Sequence, residues 1–566
     1  MKAKPIKKIS LVLFILTVGS SALLAGHKNN DHNLIKNFLM NFSLASKAST
    51  FSSYSTEKNS SIIFSFKDDP ESVRTVFTDL NQFAKLSAPR KKKLRAGLEF
   101  GSLIVYSQVN YWIKYSHFIE DWQYKLRWED QKRRFFTFEA NRFDSNDFGL
   151  NWRHSLAGMI YYEFARSNNL SWLQSTIFSV GGSLYWEYFV EWREVISIND
   201  NIMTGLGGVV LGESWFQLGR YFFNSSNPVS HLFSWLNPFM KINGWFDRKQ
   251  MLPPYFHSHN PQVQDVYLFL GYRNSPTSTS NGNAGNLAVS LGSRIITASG
   301  YGIPGKIDER FTNPIYSQLD VDFMYHGNTR EELAVTAKIV PLGRFIQNIS
   351  EDNKGYSFYY GLGSAFYVYV KRPVVDYDAE KVSIDYPEDF HFENPREFRD
   401  KLGAVHIIGP VFDVAYFSRP WFFRLRTEGY LSFGMINAWA LNKYSLDYPV
   451  QGMKTTLTYY GYYYALGPAL ESSAEIGYQN LRLDGFINYQ YYRSLQGRDR
   501  FQDQILDDSV IRDSRWHSGL KLQYHIPRTD FSFVGAVEWV KRWGKIHEVE
   551  DSNLEKRYYL GLKFNL

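Results

Sequence analysis

The sequence predicts an α+β membrane protein in which an N-terminal helical bundle precedes an antiparallel transmembrane β-barrel of about 12 strands. Three observations predict this fold: a secretion-type leader, rows of small and polar residues at helical spacing over 150–222, and a period-two alternation from about Val266 onward. The predicted domains are a signal peptide at 1–25, a polar and partly disordered region at 26–97, a helical domain at 98–250 and the barrel at 264–566.

The composition excludes several classes of protein. The chain has 566 residues, including 44 Phe, 39 Tyr and 15 Trp, and no Cys. So many order-promoting residues exclude a disordered chain, and a mean hydropathy of −0.34 argues against a multi-span helical inner-membrane protein. Without Cys, disulfides, thiolate metal sites and Cys nucleophiles are excluded.

Residues 1–25 are predicted to be a cleavable secretory signal peptide. Four Lys precede an apolar stretch at 9–24, and small residues follow at Ser20, Ala22 and Ala25. The stretch is shorter than the ~20 residues that span a bilayer comfortably, so an uncleaved anchor helix is the alternative interpretation. Removing the four Lys lowers the formal net charge from +7 to +3, and basicity therefore gives no reason to expect nucleic-acid binding.

Three helices are predicted within 150–222 because small and polar residues recur there at i+4 steps. The rows are His154, Gly158, Tyr162 and Arg166 in 153–166; Ser175, Ser179, Ser183, Glu187 and Glu191 in 171–191; and Asp200, Thr204, Gly208 and Gly212 in 197–221. Rows of this kind allow close helix packing. The second helix has a single ionisable group from 170 to 190, so it is expected to be buried in protein or in lipid.

These helices carry the candidate functional residues. The candidate catalytic residues are His154, Glu187, Glu191, Asp200 and Glu213, and the candidate ligand-binding residues are Tyr162 and Arg166. Two carboxylates one helical turn apart raise each other's pKa unless a cation intervenes. Carboxylates beside a His are suited to acid–base catalysis or a divalent metal. The favoured alternative is a buried ion-pair network that fixes helix register; no metal ligand is assigned, and any cofactor is unknown.

The C-terminal half alternates between apolar and polar side chains. About twelve segments of 9–12 residues do so, which is the length that a tilted membrane strand requires. In 481–491, for example, Leu481 and Leu483 alternate with Arg482 and Asp484. A soluble β-sandwich beside a periplasmic helical domain would alternate in the same way. The leader, the aromatic content and the final alternating segment at 558–566 favour the barrel.

The connections and the isolated motifs offer weaker signals. The polar segments 371–402 and 494–513 are interpreted as solvated barrel loops, with a cation-binding or gating loop as the alternative. His257 and His259 form an H-x-H pair that is interpreted as incidental. No G-x-S-x-G, H-E-x-x-H or phosphate-binding glycine motif is present.

An ordered set of helix residues carries a resemblance to a known family. The set is Asn151, His154, Gly158, Tyr161, Tyr162, Ala165, Arg166, Trp186, Glu187, Glu191, Ser197, Asp200, Gly208, Gly212 and Glu213. It resembles a bacterial envelope family known only as a domain of unknown function. The chain departs from the family pattern at Ser155 and Ile196, where the family has Pro. The resemblance implies an envelope location and a helical unit joined to a barrel, and it implies no activity.

Two functions are expected from these observations. The first is a non-enzymatic barrel in the outer membrane of a Gram-negative bacterium, whose helical unit plugs, caps or docks on the periplasmic mouth and serves transport or envelope organisation. The second is an outer-membrane enzyme that modifies an envelope lipid or glycolipid, with His154 as general base or metal ligand and Arg166 holding an anionic group. The expected partners are outer-membrane lipids and the barrel-assembly machinery, with no nucleic acid and an open oligomeric state.

Overall fold

A computed structural model describes most of the chain from residue 90 onward. The described residues are 90–115, 123–224, 232–247, 264–277, 280–298, 301–312, 315–372 and 400–566. The predicted signal peptide, residues 26–89 of the predicted polar region, His257, His259 and most of the predicted loop 371–402 lie outside these residues. Lys91–Leu566 form one compact unit.

Twelve antiparallel strands form a closed barrel, which confirms the predicted fold class. The strands are β3 Gln264–Thr277, β4 Ser280–Ile296, β6 Tyr316–His326, β7 Thr329–Ile349, β8 Lys354–Lys371, β9 Asp400–Ser418, β10 Trp421–Asn437, β11 Tyr462–Tyr478, β12 Leu481–Ser494, β13 Ile511–His525, β14 Phe531–Ile546 and β15 Val549–Asn565. Around the ring the order is β7-β6-β4-β3-β15-β14-β13-β12-β11-β10-β9-β8, and β7 pairs with β8 to close it. A short strand, β5 Ile307–Thr312, extends the sheet beside β7 outside the ring.

Period-two alternation sorts side chains between the two faces of the barrel wall. On β12, Arg482 and Asp484 pair with each other in the lumen at 2.9 Å between Nε and Oδ1. Leu481, Leu483 and Ile487 alternate with them and are exposed on the outside. The outward belt of apolar and aromatic side chains is the surface that an outer-membrane barrel presents to lipid.

The two ends of the barrel differ in their connections. At the end we call the terminus end, β3 begins and β15 ends, and short turns occupy 350–353, 419–420 and 479–480. At the opposite end, the loop end, β10 and β11 are joined through the helices α8 Leu441–Tyr444 and α9 Thr455–Tyr460, and β12 and β13 are joined by 495–510. The last connection is shorter than the predicted 494–513 because both flanking strands extend into it.

The predicted helices are present, and a further helix begins earlier than expected. The helices are α1 Lys93–Tyr115, α2 Trp128–Phe135, α3 Phe148–Arg166, α4 Trp172–Tyr185, α5 Ile198–Asp200, α6 Gly208–Asn224 and α7 Pro238–Asp247; π-helical segments Trp186–Val190 and Asn201–Gly207 follow α4 and α5; and a 3-10 turn occupies Ser234–Leu236. Short parallel strands β1 Asn141–Arg142 and β2 Ile196–Ser197 pair beside them. None of the described helices combines the length and the hydropathy of a membrane-spanning segment.

The start of α1 at Lys93 differs from the prediction of a polar region up to residue 97. Basic residues in a first helical turn oppose the helix dipole and need a compensating negative charge. In the structure Asp247, at the end of α7, offsets that charge. It contacts Lys92 and accepts from Arg95 Nη1 at 2.9 Å and Nη2 at 3.0 Å.

The helices pack on the outside of the barrel wall and not in its lumen. On β8, Leu362 faces outward and is 44% exposed, whereas Phe366, on the same face, is fully buried. On β3, Leu270 is exposed and Val266, on the same face, is buried against the helices. The helices were predicted to plug, cap or dock on the periplasmic mouth, whereas the described helices form an outer helical layer. Apolar helix faces match the apolar outer wall, whereas the lumen is lined by charges.

Small residues allow the layer to pack tightly, as the i+4 rows predicted. A Cβ on Gly158 of α3 would lie 1.8 Å from the Thr204 carbonyl oxygen, so the two backbones touch. A Cβ on Gly207 would meet Ser155 Oγ at 2.7 Å and the ring of Phe366 at 3.2 Å. Glycine is needed at both positions because any side chain would separate the helices from one another or from the wall.

Candidate functional site

The predicted polar residues divide into two clusters on the helical layer. His154 and Arg166 lie on the same helix, α3, but twelve residues apart, which is about 18 Å of helix. His154, Glu187, Glu191 and Asp200 belong to a cluster near the loop end. Tyr162, Arg166 and Glu213 belong to a cluster nearer the terminus end, which the sequence did not separate from the first.

A His–Asp pair lies in the loop-end cluster. His154 Nδ1 is 3.3 Å from Asp200 Oδ1, and the imidazole is 29% exposed while the carboxylate is buried. Asn199 Nδ2 donates to Asp200 Oδ1 at 2.9 Å, and the Asp200 backbone N–H donates to Ser197 Oγ at 3.2 Å. Burial raises the pKa of Asp200 to about 6, against the opposing influence of His154. The pair is therefore held in place on the carboxylate side.

Each of the two predicted glutamates has its own hydrogen-bond donor, and the charge of Glu191 contributes, after burial, to the raised pKa of Glu187. Glu187 lies in a π-helical segment, and Glu191 follows its end. Glu187 Oε2 accepts from the Ser197 backbone N–H at 2.8 Å, and Glu191 Oε1 accepts from Trp186 Nε1 at 2.8 Å. Burial, followed by repulsion from neighbouring carboxylates, raises the pKa of both.

Arg134 is a cation beside these glutamates that the sequence did not indicate. Its side chain is fully buried. Its Nη2 donates to the Glu187 carbonyl oxygen at 2.7 Å and its Nη1 to the Glu191 carbonyl oxygen at 3.1 Å. A guanidinium that binds main-chain oxygens fixes the π-helical turn. It comes from α2, more than fifty residues earlier, so spacing within the motif does not reveal it.

The cluster nearer the terminus end is a satisfied ion pair. Arg166 binds Glu213 with two bonds, from Nε to Oε2 at 2.8 Å and from Nη2 to Oε1 at 2.9 Å. Tyr162 donates to Glu213 Oε2 at 2.5 Å and Gln217 donates to Oε1 at 2.5 Å. Both predicted ligand-binding residues are thus engaged by Glu213, in the register-fixing arrangement that was the alternative interpretation.

An amide network joins the loop-end cluster to the barrel. Asn151 Nδ2 donates to the hydroxyl groups of Tyr462 and Tyr464 on β11, at 2.6 and 2.8 Å. Its Oδ1 accepts from Asn199 Nδ2 at 2.9 Å. These tyrosines face outward at the start of β11, so the network fixes α3 to the outer wall. Asn151 was part of the predicted motif, whereas its barrel partners lie more than 300 residues away.

The lumen holds a second set of polar residues, for which the sequence predicted the inward orientation but not the partners. A cavity of about 490 Å³ is lined by many charged side chains, including Arg273, Lys338, Arg426, Glu471 and Arg482. Among the described residues, no group of three or more His, Asp or Glu side chains is arranged to hold a metal ion. Alternation placed these charges inside, but their pairing depends on which strands oppose each other across the ring.

The helical layer matches a known sequence family. Residues 140–238 match the family model of a domain of unknown function, DUF3943. This confirms the resemblance, and all seven candidate residues lie within the match. No curated protein matches the chain.

The barrel is similar to several solved outer-membrane structures. They include the translocator domain of the autotransporter NalP from Neisseria meningitidis, with 10% identity over 55% of this chain and 90% of that chain and a TM-score of 0.19. OprB of Pseudomonas putida has 7% identity over 54% and 94%, with a TM-score of 0.19. OmpT of Vibrio cholerae has 6% identity over 54% and 97%, with a TM-score of 0.19. Values this low carry no inference about function.

Proposed function

We propose that this protein is an outer-membrane barrel that serves envelope organisation as a closed scaffold rather than as an open diffusion pore. The observation that carries the proposal is a set of salt bridges that join opposite walls of the barrel through the lumen. The exported chain would reach the outer membrane of a Gram-negative bacterium through its signal peptide. It would be inserted by the barrel-assembly machinery and would contact lipid on its outer face.

The bridges connect strands that are far apart around the ring. Arg294 on β4 binds Glu475 on β11, six positions away, at 3.0 Å between Nη1 and Oε2. Lys371 on β8 binds Glu555 on β15, five positions away, at 2.5 Å between Nζ and Oε1. Such pairs hold two walls together through the space that a solute would need.

The bridges also lie at different heights. Arg294 is near the terminus end of its strand, and Lys371 ends β8 at the loop end. Between them Lys338 on β7 binds Glu428 at 3.0 Å and Glu471 at 2.5 Å. Because buried ion pairs are costly to break singly, three levels of pairing support a lumen that stays closed at rest.

Conductance in planar lipid bilayers tests the proposal. The purified full chain is expected to give no steady conductance. A variant in which both members of one bridge at each of the three heights are neutralised, Arg294→Gln/Glu475→Gln, Lys371→Gln/Glu555→Gln and Lys338→Gln/Glu471→Gln, is expected to conduct because these bridges then no longer obstruct the path of a solute through the lumen. Lys545→Gln/Glu550→Gln removes a pair at the β14–β15 turn, 2.8 Å apart, and is the matched control that stays closed. A steady open-pore conductance from the unaltered protein would contradict the proposal.

The second candidate function is an outer-membrane enzyme acting on an envelope lipid or glycolipid. One observation favours it: His154 Nδ1 lies 3.3 Å from the buried carboxylate of Asp200 while part of the ring stays exposed. A His beside a carboxylate is suited to general-base chemistry at a ring nitrogen that a substrate can reach. If it acts in this way, His154→Ala and Glu187→Gln each abolish a lipid change that depends on the protein, while heat-modifiable migration shows an intact barrel. Variants that retain the lipid change exclude this function.

A further inference from the structure

The outermost helices of the layer present apolar side chains away from the barrel. On α1, Leu98, Val105, Val109 and Ile113 are more than half exposed. On α4, Leu173 and Ile177 are 56% and 64% exposed. A Cβ added to Gly101 or Gly181 would meet nothing within 4 Å, so this face is open. Apolar surface of this extent is unusual on a helix that faces water.

Charge is distributed across the layer as a lipid environment requires. Residues 100–113 of α1 and 170–186 around α4 contain no Asp, Glu, Lys, Arg or His. The charged groups in the middle of the layer lie on α3 and α6, on the inner side, where Arg166 and Glu213 pair in a buried site. A charged side chain in a bilayer is tolerated when it faces a protein partner, and this is the arrangement observed.

The apolar face is continuous with the outward belt of the barrel. The helices cross the outer wall diagonally, from Val266 and Leu319 at the terminus end to Phe433 and Tyr464 at the loop end. Outward side chains on both sides of this diagonal stay exposed. They are Leu270, Tyr272 and Leu287 on one side, and Leu362, Ile408 and Leu431 on the other. A layer flanked on both sides by lipid-facing wall lies within the same belt.

Residues at the two ends of the layer are those that favour a membrane–water interface. Near the loop end, the aromatic rings of Trp128, Phe136 and Phe138 are exposed. Near the terminus end, Trp235 is 44% exposed and Lys93 is exposed at the start of α1. Aromatic rings and basic side chains concentrate at the headgroup level of membrane proteins.

We infer that the helical layer lies in the outer-membrane bilayer beside the barrel, with the exposed faces of α1 and α4 in contact with lipid acyl chains. This rests on the proposed outer-membrane location and goes beyond it, because a helical unit joined to a barrel is also compatible with the periplasm. In this position the helical layer presents one apolar surface to lipid, because its polar residues face α3, α6 and the barrel wall.

Site-directed spin labelling tests the inference, and a chain without Cys makes single-Cys variants straightforward. Val109→Cys and Ile177→Cys are labelled in the full chain reconstituted into phospholipid vesicles. Collision with oxygen, which concentrates in the bilayer, is compared with collision with a water-soluble nickel complex. Leu520→Cys on β13 is the lipid-facing reference, and Leu506→Cys, 88% exposed in the 495–510 connection, is the water reference. Heat-modifiable migration shows that each labelled barrel is folded.

The outcomes separate this inference from the proposed function. We expect the labels at Val109 and Ile177 to match the one at Leu520, with an oxygen-to-nickel collision ratio at least several-fold above that at Leu506. If Leu520 behaves as lipid-facing while Val109 and Ile177 behave as water-facing, the inference is overturned and the barrel location stands. If neither oxygen nor the nickel complex reaches the labels at Val109 and Ile177, a protein segment covers this face, and the inference is also overturned. A water-facing Leu520 overturns the outer-membrane location itself.

Discussion

Two stretches of the barrel wall share one sequence pattern and differ in what covers them. On the bare wall, Leu520 and Leu560 are 49% and 67% exposed. On the covered wall, Leu319 and Phe366 face outward in the same way and are 2% and 0% exposed. The difference shows that an apolar side chain on the outer face of the wall can be covered by a helix or left exposed, and that the strand sequence does not decide which. On the covered wall, small residues and a few buried polar contacts on the helices allow the helices to pack closely against the strands.

The largest expected effect comes from unpairing the charge in the helical layer. Arg166→Met leaves Glu213 buried without its bidentate partner, which is expected to destabilise the packing of the helices on the wall by about 3–5 kcal/mol. Limited proteolysis of the helical layer measures this, with heat-modifiable migration reporting on the barrel. The double variant Arg166→Met/Glu213→Met should recover much of the protection. Equal protection in the single variant and the unaltered chain would show that the pair does not stabilise the layer.

A matched pair of truncations sharpens the contrast between the two walls. Leu319→Ala removes a side chain packed against helices and leaves a cavity, at an expected cost of about 2–5 kcal/mol. Leu560→Ala on the bare wall is expected to cost less than about 1 kcal/mol, because lipid refills the space and little packing is lost. Urea unfolding of the reconstituted protein compares them. Equal losses would mean that both residues meet the same environment.

Removing the amide link tests how the layer is held to the wall. Asn151→Leu leaves the hydroxyl groups of Tyr462 and Tyr464 without their donor, at an expected cost of about 1–3 kcal/mol. Tyr462→Phe/Tyr464→Phe in the same background is expected to add to the loss, because the two hydroxyl groups also donate to the carbonyl oxygens of Asn146 and Asp144. Protease protection of α3 is the measurement. Full protection in Asn151→Leu would assign the attachment to apolar packing alone.

The smallest expected effect is a dependence on pH. Burial raises the pKa of Asp200 to about 6, above its ordinary value near 3.8, while His154 opposes the shift. A raised carboxyl pKa penalises the charged folded state, so the packing is expected to strengthen as pH falls from above about 6 towards 4. Asp200→Asn should weaken this dependence without abolishing it, because Glu187 and Glu191 in the same cluster also have raised pKa values. Protease protection at pH 4.5 and 7.5 measures it, and an unchanged dependence in Asp200→Asn would assign it to another group.

Particular elements show how far sequence reasoning reached. The alternation at 481–491 predicted which β12 side chains face the lumen. The glycine rows predicted close helix contact, which the structure has between Gly158 and the 201–207 segment. The sequence placed Glu187 and Glu191 one α-helical turn apart, and the structure adds a π-helical segment over Trp186–Val190 at this point. Arg134 and Tyr462 contribute to the site from outside the motif, so local spacing contained no signal for them.

Strand length, side-chain alternation and the apolar faces of helices are set by residues close together in the sequence. The barrel and its helices could therefore be predicted from the sequence. The position of the helices on the outer wall and the salt bridges across the lumen could not be predicted in this way. Both depend on contacts between residues separated by up to several hundred positions, such as Asn151 with Tyr464 and Arg294 with Glu475. Closure of the ring determines which strands oppose each other across the lumen. The packing of the helices on the closed ring then determines which apolar side chains of the outer wall are covered.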